Sequence, residues 1–74
     1  MKDNELSNYV NNMLNGLSIY TQKNLSEIII EYQNLNETLR LYIMKENNYQ
    51  PLKKSDEDKI YEASAKALFN HYIK

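Results

Sequence analysis

The stretch from Asn24 to Asn47, NLSEIIIEYQNLNETLRLYIMKEN, decides the fold. Leu25, Ile28, Tyr32, Leu35, Leu39 and Tyr42 recur at alternating steps of three and four. That period puts them on one side of an α-helix and is incompatible with the alternation of a half-buried strand. It is the a/d spacing of a coiled-coil seam, held for nearly three heptads. Asn24-Leu25-Ser26-Glu27 resembles a capping box, with Asn24 as the N-cap and Glu27 at the third helical position. The spacing therefore predicts a helix from Leu25 to Asn47, about 35 Å long at 1.5 Å per residue. Ile29 and Ile43 widen the seam, while Ile30, Leu41 and Met44 fall on roughly the opposite side. One neighbouring helix cannot cover both sides. Either the flanking helices embrace this one from two directions, or Ile30, Leu41 and Met44 meet a second copy of the chain. A homodimer formed through part of this helix is the expectation.

N-terminal to this stretch, Leu6, Tyr9, Val10, Met13, Leu14, Leu17 and Tyr20 share one helical face. Asp3 or Asn4 is the candidate N-cap. Gly16 is the only glycine. It costs about 1 kcal/mol relative to Ala inside a helix, but the apolar phase runs through it, which predicts a continuous helix from about Asn4 to Tyr20. C-terminal to it, Asn47-Asn48-Tyr49-Gln50-Pro51 is a break, because Pro51 has no amide hydrogen and disfavours helical backbone at Gln50. Lys53-Lys54 continue the loop. Ser55 is then the predicted N-cap of a third helix, with Asp56, Glu57 and Asp58 at the positive end of its dipole. Ile60, Ala63, Ala67 and Tyr72 fall on or near one side of it, beside Tyr61, Leu68 and Ile73. Ala63, Ala65 and Ala67 would permit close helix approach. The expected architecture is all-α: a single helical domain over residues 1–74, three helices with a long central one, paired as a helical homodimer.

Composition narrows the function. A chain of 74 residues is one domain, too short for a dinucleotide-binding sheet. It has no cysteine, which excludes disulfides, zinc knuckles and thiol catalysis. Met1-Lys2-Asp3-Asn4-Glu5 is followed by no apolar run of the kind a signal peptide needs. Ile28-Ile29-Ile30 is the longest apolar run, far below the roughly 18 residues of a membrane span. A soluble cytoplasmic protein is expected. The formal charge is -1, which disfavours a non-specific nucleic-acid binder that depends on excess Lys and Arg at phosphates. Asn, Ile and Tyr are frequent and eight lysines accompany one arginine, a usage common in AT-rich genomes.

Little in the chain suits an enzyme, a metal or a cofactor. His71 is the single histidine and sits near the C-terminus, where a surface or packing role is the ordinary one. Glu27 and Glu31 share a helix face without a histidine or cysteine nearby, a poor donor set for a metal. No glycine-rich phosphate loop exists. If the first two helices formed a DNA-reading helix-turn-helix, the recognition helix would begin Leu25-Ser26-Glu27 and reach its first base only at Arg40, too late to contact base edges. Asp56, Glu57, Asp58 and Glu62 have two readings. Helix capping and dipole complementarity account for them physically; as a negative patch they would also suit a basic partner surface. The seven tyrosines lie mostly on the apolar seams, and Tyr49, in the loop, is the best candidate for an exposed contact.

All 74 residues, from MKDNELSNYV to FNHYIK, resemble in length and character the phage-encoded inhibitors of the bacterial DNA polymerase sliding clamp: very short, cysteine-free, helical and without catalytic residues. The resemblance implies a host-takeover protein that acts in the host bacterial cytoplasm. It would bind the ring-shaped processivity clamp and arrest host DNA replication, with no membrane, cofactor or direct nucleic-acid contact. Host proteins reach such clamps with a short extended peptide, Gln followed by aliphatic and aromatic residues. Gln22-Lys23-Asn24-Leu25-Ser26, Gln33-Asn34-Leu35 and Gln50-Pro51-Leu52 lack the aromatic end, and the first two lie at or in predicted helices. A compact acidic dimer occupying the basic DNA channel of the ring fits the charge and size better. Its expected contacts are Asp56, Glu57, Asp58, Glu62 and Tyr49. The competing classes are a small phage or plasmid transcriptional regulator that binds DNA or a repressor, and a helical adaptor.

Overall fold

The computed structural model describes residues 3–73, apart from the side chains of Asp3 and Asn4. The expected capping by those two side chains lies outside what is described. Three helices run in sequence: α1 over Asp3–Thr21, α2 over Leu25–Glu46 and α3 over Lys54–Tyr72. Each packs against the other two, giving a body with extents of 40 × 24 × 21 Å. The domain is all-α, and the central helix is only slightly the longest, with 22 residues against 19 in each neighbour.

Local chemistry sets the ends of the helices. α1 runs through Gly16 without a break, and a Cβ built there would meet nothing within 4 Å. α1 stops where Gln22 turns left-handed, at φ 61°. The Thr21 hydroxyl donates to the Leu17 carbonyl at 2.7 Å and accepts from the Lys23 amide at 3.2 Å, which ties the turn to the last turn of the helix. α2 opens on Asn24, whose Oδ1 accepts from the Ser26 amide at 3.0 Å and the Ser26 hydroxyl at 2.9 Å. It closes in a Schellman motif: the Tyr49 amide donates to the Met44 carbonyl at 2.7 Å and the Asn48 amide to that of Lys45 at 3.3 Å. Asn48 and Tyr49 are both left-handed, at φ 58° and 62°. Asn suits that region; an aromatic residue is strained there.

α3 begins earlier than its sequence signals. Its N-cap is Lys53, in extended backbone, and Ser55 already lies inside the helix, so the expected Ser55 cap is corrected. The Lys53 amide donates to Asp56 Oδ2 at 3.3 Å. Asp56, at the third helical position, thereby reaches back to the N-cap amide as the acidic residue of a capping box does.

The core is Leu6, Val10, Leu14 and Leu17 from α1, Ile28 from α2, and Ile60, Ala65 and Leu68 from α3. Tyr32, Leu35 and Tyr61 pack partly buried against it. Three expectations about facing residues are corrected. Tyr20, at the end of the apolar face of α1, is 61% exposed. Tyr42 points outward and is 64% exposed, because a straight helix drifts about 20° per heptad from a strict a/d line. By the last turn of α2 the inward position has moved to Ile43. On α3 the buried stripe is Ile60, Ser64, Ala65 and Leu68, while Ala63 and Ala67 are exposed. Of the three alanines expected to permit close approach, Ala65 alone does so. Among the described residues, Asn36 Oδ1 and Ser64 Oγ lie buried without a hydrogen-bond partner.

Candidate functional site

The four acidic residues singled out in the sequence occupy the first two and a half turns of α3, and all are half-buried rather than freely solvated. Each has an intramolecular partner. Asp56 accepts from the Lys53 amide, as above. Glu57 takes both arms of Arg40 on α2, Oε1 from Nε at 3.3 Å and Oε2 from Nη2 at 2.8 Å. Asp58 pairs with Lys54 at 3.1 Å and Glu62 with Lys66 at 2.8 Å, both one helical turn apart.

These pairs differ in strength. The Arg40 and Glu57 side chains are 32% and 29% exposed and share a two-pronged contact that fixes α2 to α3. The Arg40 hydrogen bond holds the Glu57 carboxyl below its ordinary value, and the same contact raises Arg40. The lysines opposite Asp58 and Glu62 are 64% and 58% exposed. Such one-turn surface pairs are weak and are screened by salt. A competing basic surface can take over Asp58 and Glu62 at small cost, whereas Asp56 and Glu57 have structural duties.

Tyr49 is 68% exposed at the α2–α3 turn, at the same end of the molecule as the start of α3. On α2, Ile30 is 56% and Leu41 67% exposed, and neither packs on the core cluster; Met44 is half-buried. At the opposite end, the Tyr72 hydroxyl donates to Glu31 Oε1 at 2.5 Å and accepts from Lys23 Nζ at 2.8 Å. Lys23 also lies 3.5 Å from Glu31 Oε2 and 5.1 Å from the centre of the Tyr72 ring. The Tyr72 hydrogen bond is the main cause of the upward shift of Lys23. This cluster joins the α1–α2 turn, α2 and the end of α3. Sequence reasoning missed it, and its members, 41 and 49 positions apart in the case of Tyr72, gave no local signal.

The grooves between helices are shallow and open. That between α2 and α3 holds about 430 Å³ over Leu35, Ala67 and Leu68, with Glu31 and His71 at its edge. His71 meets Tyr72 edge-on at 5.0 Å between ring centres. Among the described residues no group of three His, Cys, Asp or Glu side chains is placed to hold a metal ion, and no helix is long and apolar enough to cross a membrane. Compared with protein families, curated proteins and solved structures, the chain matches none.

Proposed function

We propose that this chain binds the bacterial DNA polymerase sliding clamp and inhibits host DNA replication, acting as a homodimer that lies against the basic wall of the clamp's DNA channel. The observation that carries the proposal is the start of α3. It presents Asp58 and Glu62 on exposed one-turn lysine pairs that a partner can displace, and the turn that leads into it exposes the Tyr49 ring. Shallow grooves and a slender helical body suit contact with a macromolecular surface better than enclosure of a small molecule. Arg40, the first base of any supposed recognition helix, is bound to Glu57, and Lys23 is bound to Tyr72 and Glu31. Those two pairings count against a regulator that would need free bases on one face.

The test is binding of purified clamp to the wild type and to Asp58→Asn/Glu62→Gln over a salt series. Loss of two rim charges should weaken binding about three- to tenfold at low salt and flatten its salt dependence. An unchanged affinity at low salt, with helicity intact, removes these carboxylates from the mechanism. Binding to free duplex DNA, with no binding to clamp, replaces the proposal with the regulator.

A further inference from the structure

The outward side of α2 carries a second seam that the three-helix core does not use. Glu27, Ile30, Asn34, Glu37, Leu41 and Met44 follow one another at steps of three, four, three, four and three. All but Met44 are exposed, and Met44 is half-buried. This is heptad spacing, with Glu27, Asn34 and Leu41 at a and Ile30, Glu37 and Met44 at d. A seam on a monomer's surface can take a partner helix with matching chemistry, and the two inner pairs of positions here match when the order is reversed.

From this we infer that two copies pair through antiparallel α2 helices, on a two-fold axis that passes between Leu35 and Asn36. The inference rests on the homodimer in the proposed function and specifies its geometry. In that register Ile30 meets Leu41 of the second copy and Asn34 meets Glu37, each contact occurring twice, while at either end Met44 lies opposite the stem of Glu27, whose carboxylate reaches past it. In the two inner layers apolar residues meet apolar ones and an amide donor meets a carboxylate. Glu37 never faces its own copy, as it would in a parallel pair, where like charges repel. At the ends of the seam, Glu27 of one chain lies within one residue's rise of Lys45 of the other. Both are exposed and neither has an ion-pair partner among the described residues. Asn34 at an a position is the kind of polar residue that fixes register in paired helices. The operation also sends the two α3 starts to opposite poles, because each lies near the C-terminal end of its own α2. A dimer of this form would present its exchangeable carboxylates at both ends of a rod.

The chain has no cysteine, so introduced thiols report on geometry without background. Ile30→Cys, Leu41→Cys and the double variant are treated with a short thiol-to-thiol crosslinker, and the mass of the untreated wild type is measured by light scattering over a concentration series. Positions 30 and 41 of one helix are about 16 Å apart, too far for an internal link. The expected result is a dimer by scattering and efficient crosslinking of the double variant or of the two single variants mixed, with little from either alone. Leu41→Asp, at a position 67% exposed in the monomer, should keep its helicity and raise the dimer dissociation constant about a hundredfold. Glu27→Lys should weaken the dimer and Lys45→Glu in the same chain should restore it. A dimer in which either single variant crosslinks alone, or which survives Leu41→Asp, overturns this register and leaves the homodimer standing on another face. A monomer at every concentration overturns both.

Discussion

Removing the contact between Arg40 and Glu57 separates what the acidic start of α3 does for the fold from what it does for a partner. The two groups make hydrogen bonds of 3.3 and 2.8 Å between α2 and α3, with about a third of each side chain exposed. At an effective dielectric of about 20, unit charges about 4 Å apart attract by about 4 kcal/mol. Partial desolvation and the ordering of two long side chains consume most of that. A surface pair is worth at most about 1 kcal/mol, and the two-pronged geometry puts this one at the upper end, about 1 kcal/mol. For a domain this small, that corresponds to a fall of about 4–8 °C in Tm. The measurement is a double-mutant cycle of Glu57→Gln and Arg40→Gln, followed by circular dichroism during heating at neutral pH. The cycle matters because the Arg40 stem also covers apolar surface, and its packing must be subtracted from the charge effect. Acid adds a second readout. Arg40 holds Glu57 below its ordinary value, so the contribution is complete above the unfolded carboxyl value and is lost as pH falls through the lower, folded one. Glu57→Gln should abolish that part of the acid sensitivity. A coupling energy below about 0.3 kcal/mol would refute the claim that the pair braces the helices. If instead stability is unchanged while clamp affinity drops, Glu57 belongs with Asp58 and Glu62 as a contact residue.

Three further substitutions test the description. Gly16→Ala should raise stability by about 1 kcal/mol in thermal or urea unfolding, since α1 is continuous there and the new methyl meets nothing; destabilisation would mean that α1 bends or breaks at Gly16. Ser64→Ala should also stabilise, by about 1 kcal/mol, because it removes a fully buried hydroxyl that has no partner; a loss of stability would show that the hydroxyl is bonded. Tyr49→Gly should relieve left-handed strain at φ 62° and raise Tm by a few degrees, a gain of about 0.5–1 kcal/mol. It should at the same time weaken clamp binding, and an unchanged affinity would remove Tyr49 from the contact surface.

The helices were legible because their periodicity is long and their ends carry chemistry that local rules recognise. Asn24 caps α2 as its side chain suggests, and Pro51 follows the Schellman turn that Asn48 permits. What misled was weight and phase. Ala63 and Ala67 count as apolar but have so little side chain that they do not choose a face, whereas buried Ser64 counts as polar and conceals the true stripe. A repeat of 3.5 puts Tyr42 inward, and the straight helix carries it outward. Asn36 is buried although nothing in its neighbours announces it. In the candidate site, two of the missed pairs were readable. Lys54–Asp58 and Glu62–Lys66 are spaced one turn apart on a helix, and the second has the favoured order, acid before base. Arg40–Glu57 was not readable, since it depends on how α2 and α3 are docked.

The pairing of the acids changes how electrostatic binding would have to work. A patch of bare carboxylates would attract a basic wall at long range and hold it through net charge. Here the net charge is -1 and the carboxylates are matched locally, so attraction at a distance is small. Binding would proceed by exchange: arginines and lysines of the partner replace Lys54 and Lys66 at Asp58 and Glu62, and the displaced lysines give up those contacts. Each exchange is only modestly favourable, because an exposed pair is given up to form one shielded by the partner. Specificity would then rest on shape and on apolar contacts such as the Tyr49 ring, with charge setting register. This has a measurable consequence. Lys54→Met and Lys66→Met remove the internal competitors and leave Asp58 and Glu62 bare. If exchange is the mechanism, these variants bind the clamp more tightly than the wild type and with a steeper salt dependence. If affinity and salt dependence both stay the same, the carboxylates at the start of α3 serve the helix alone.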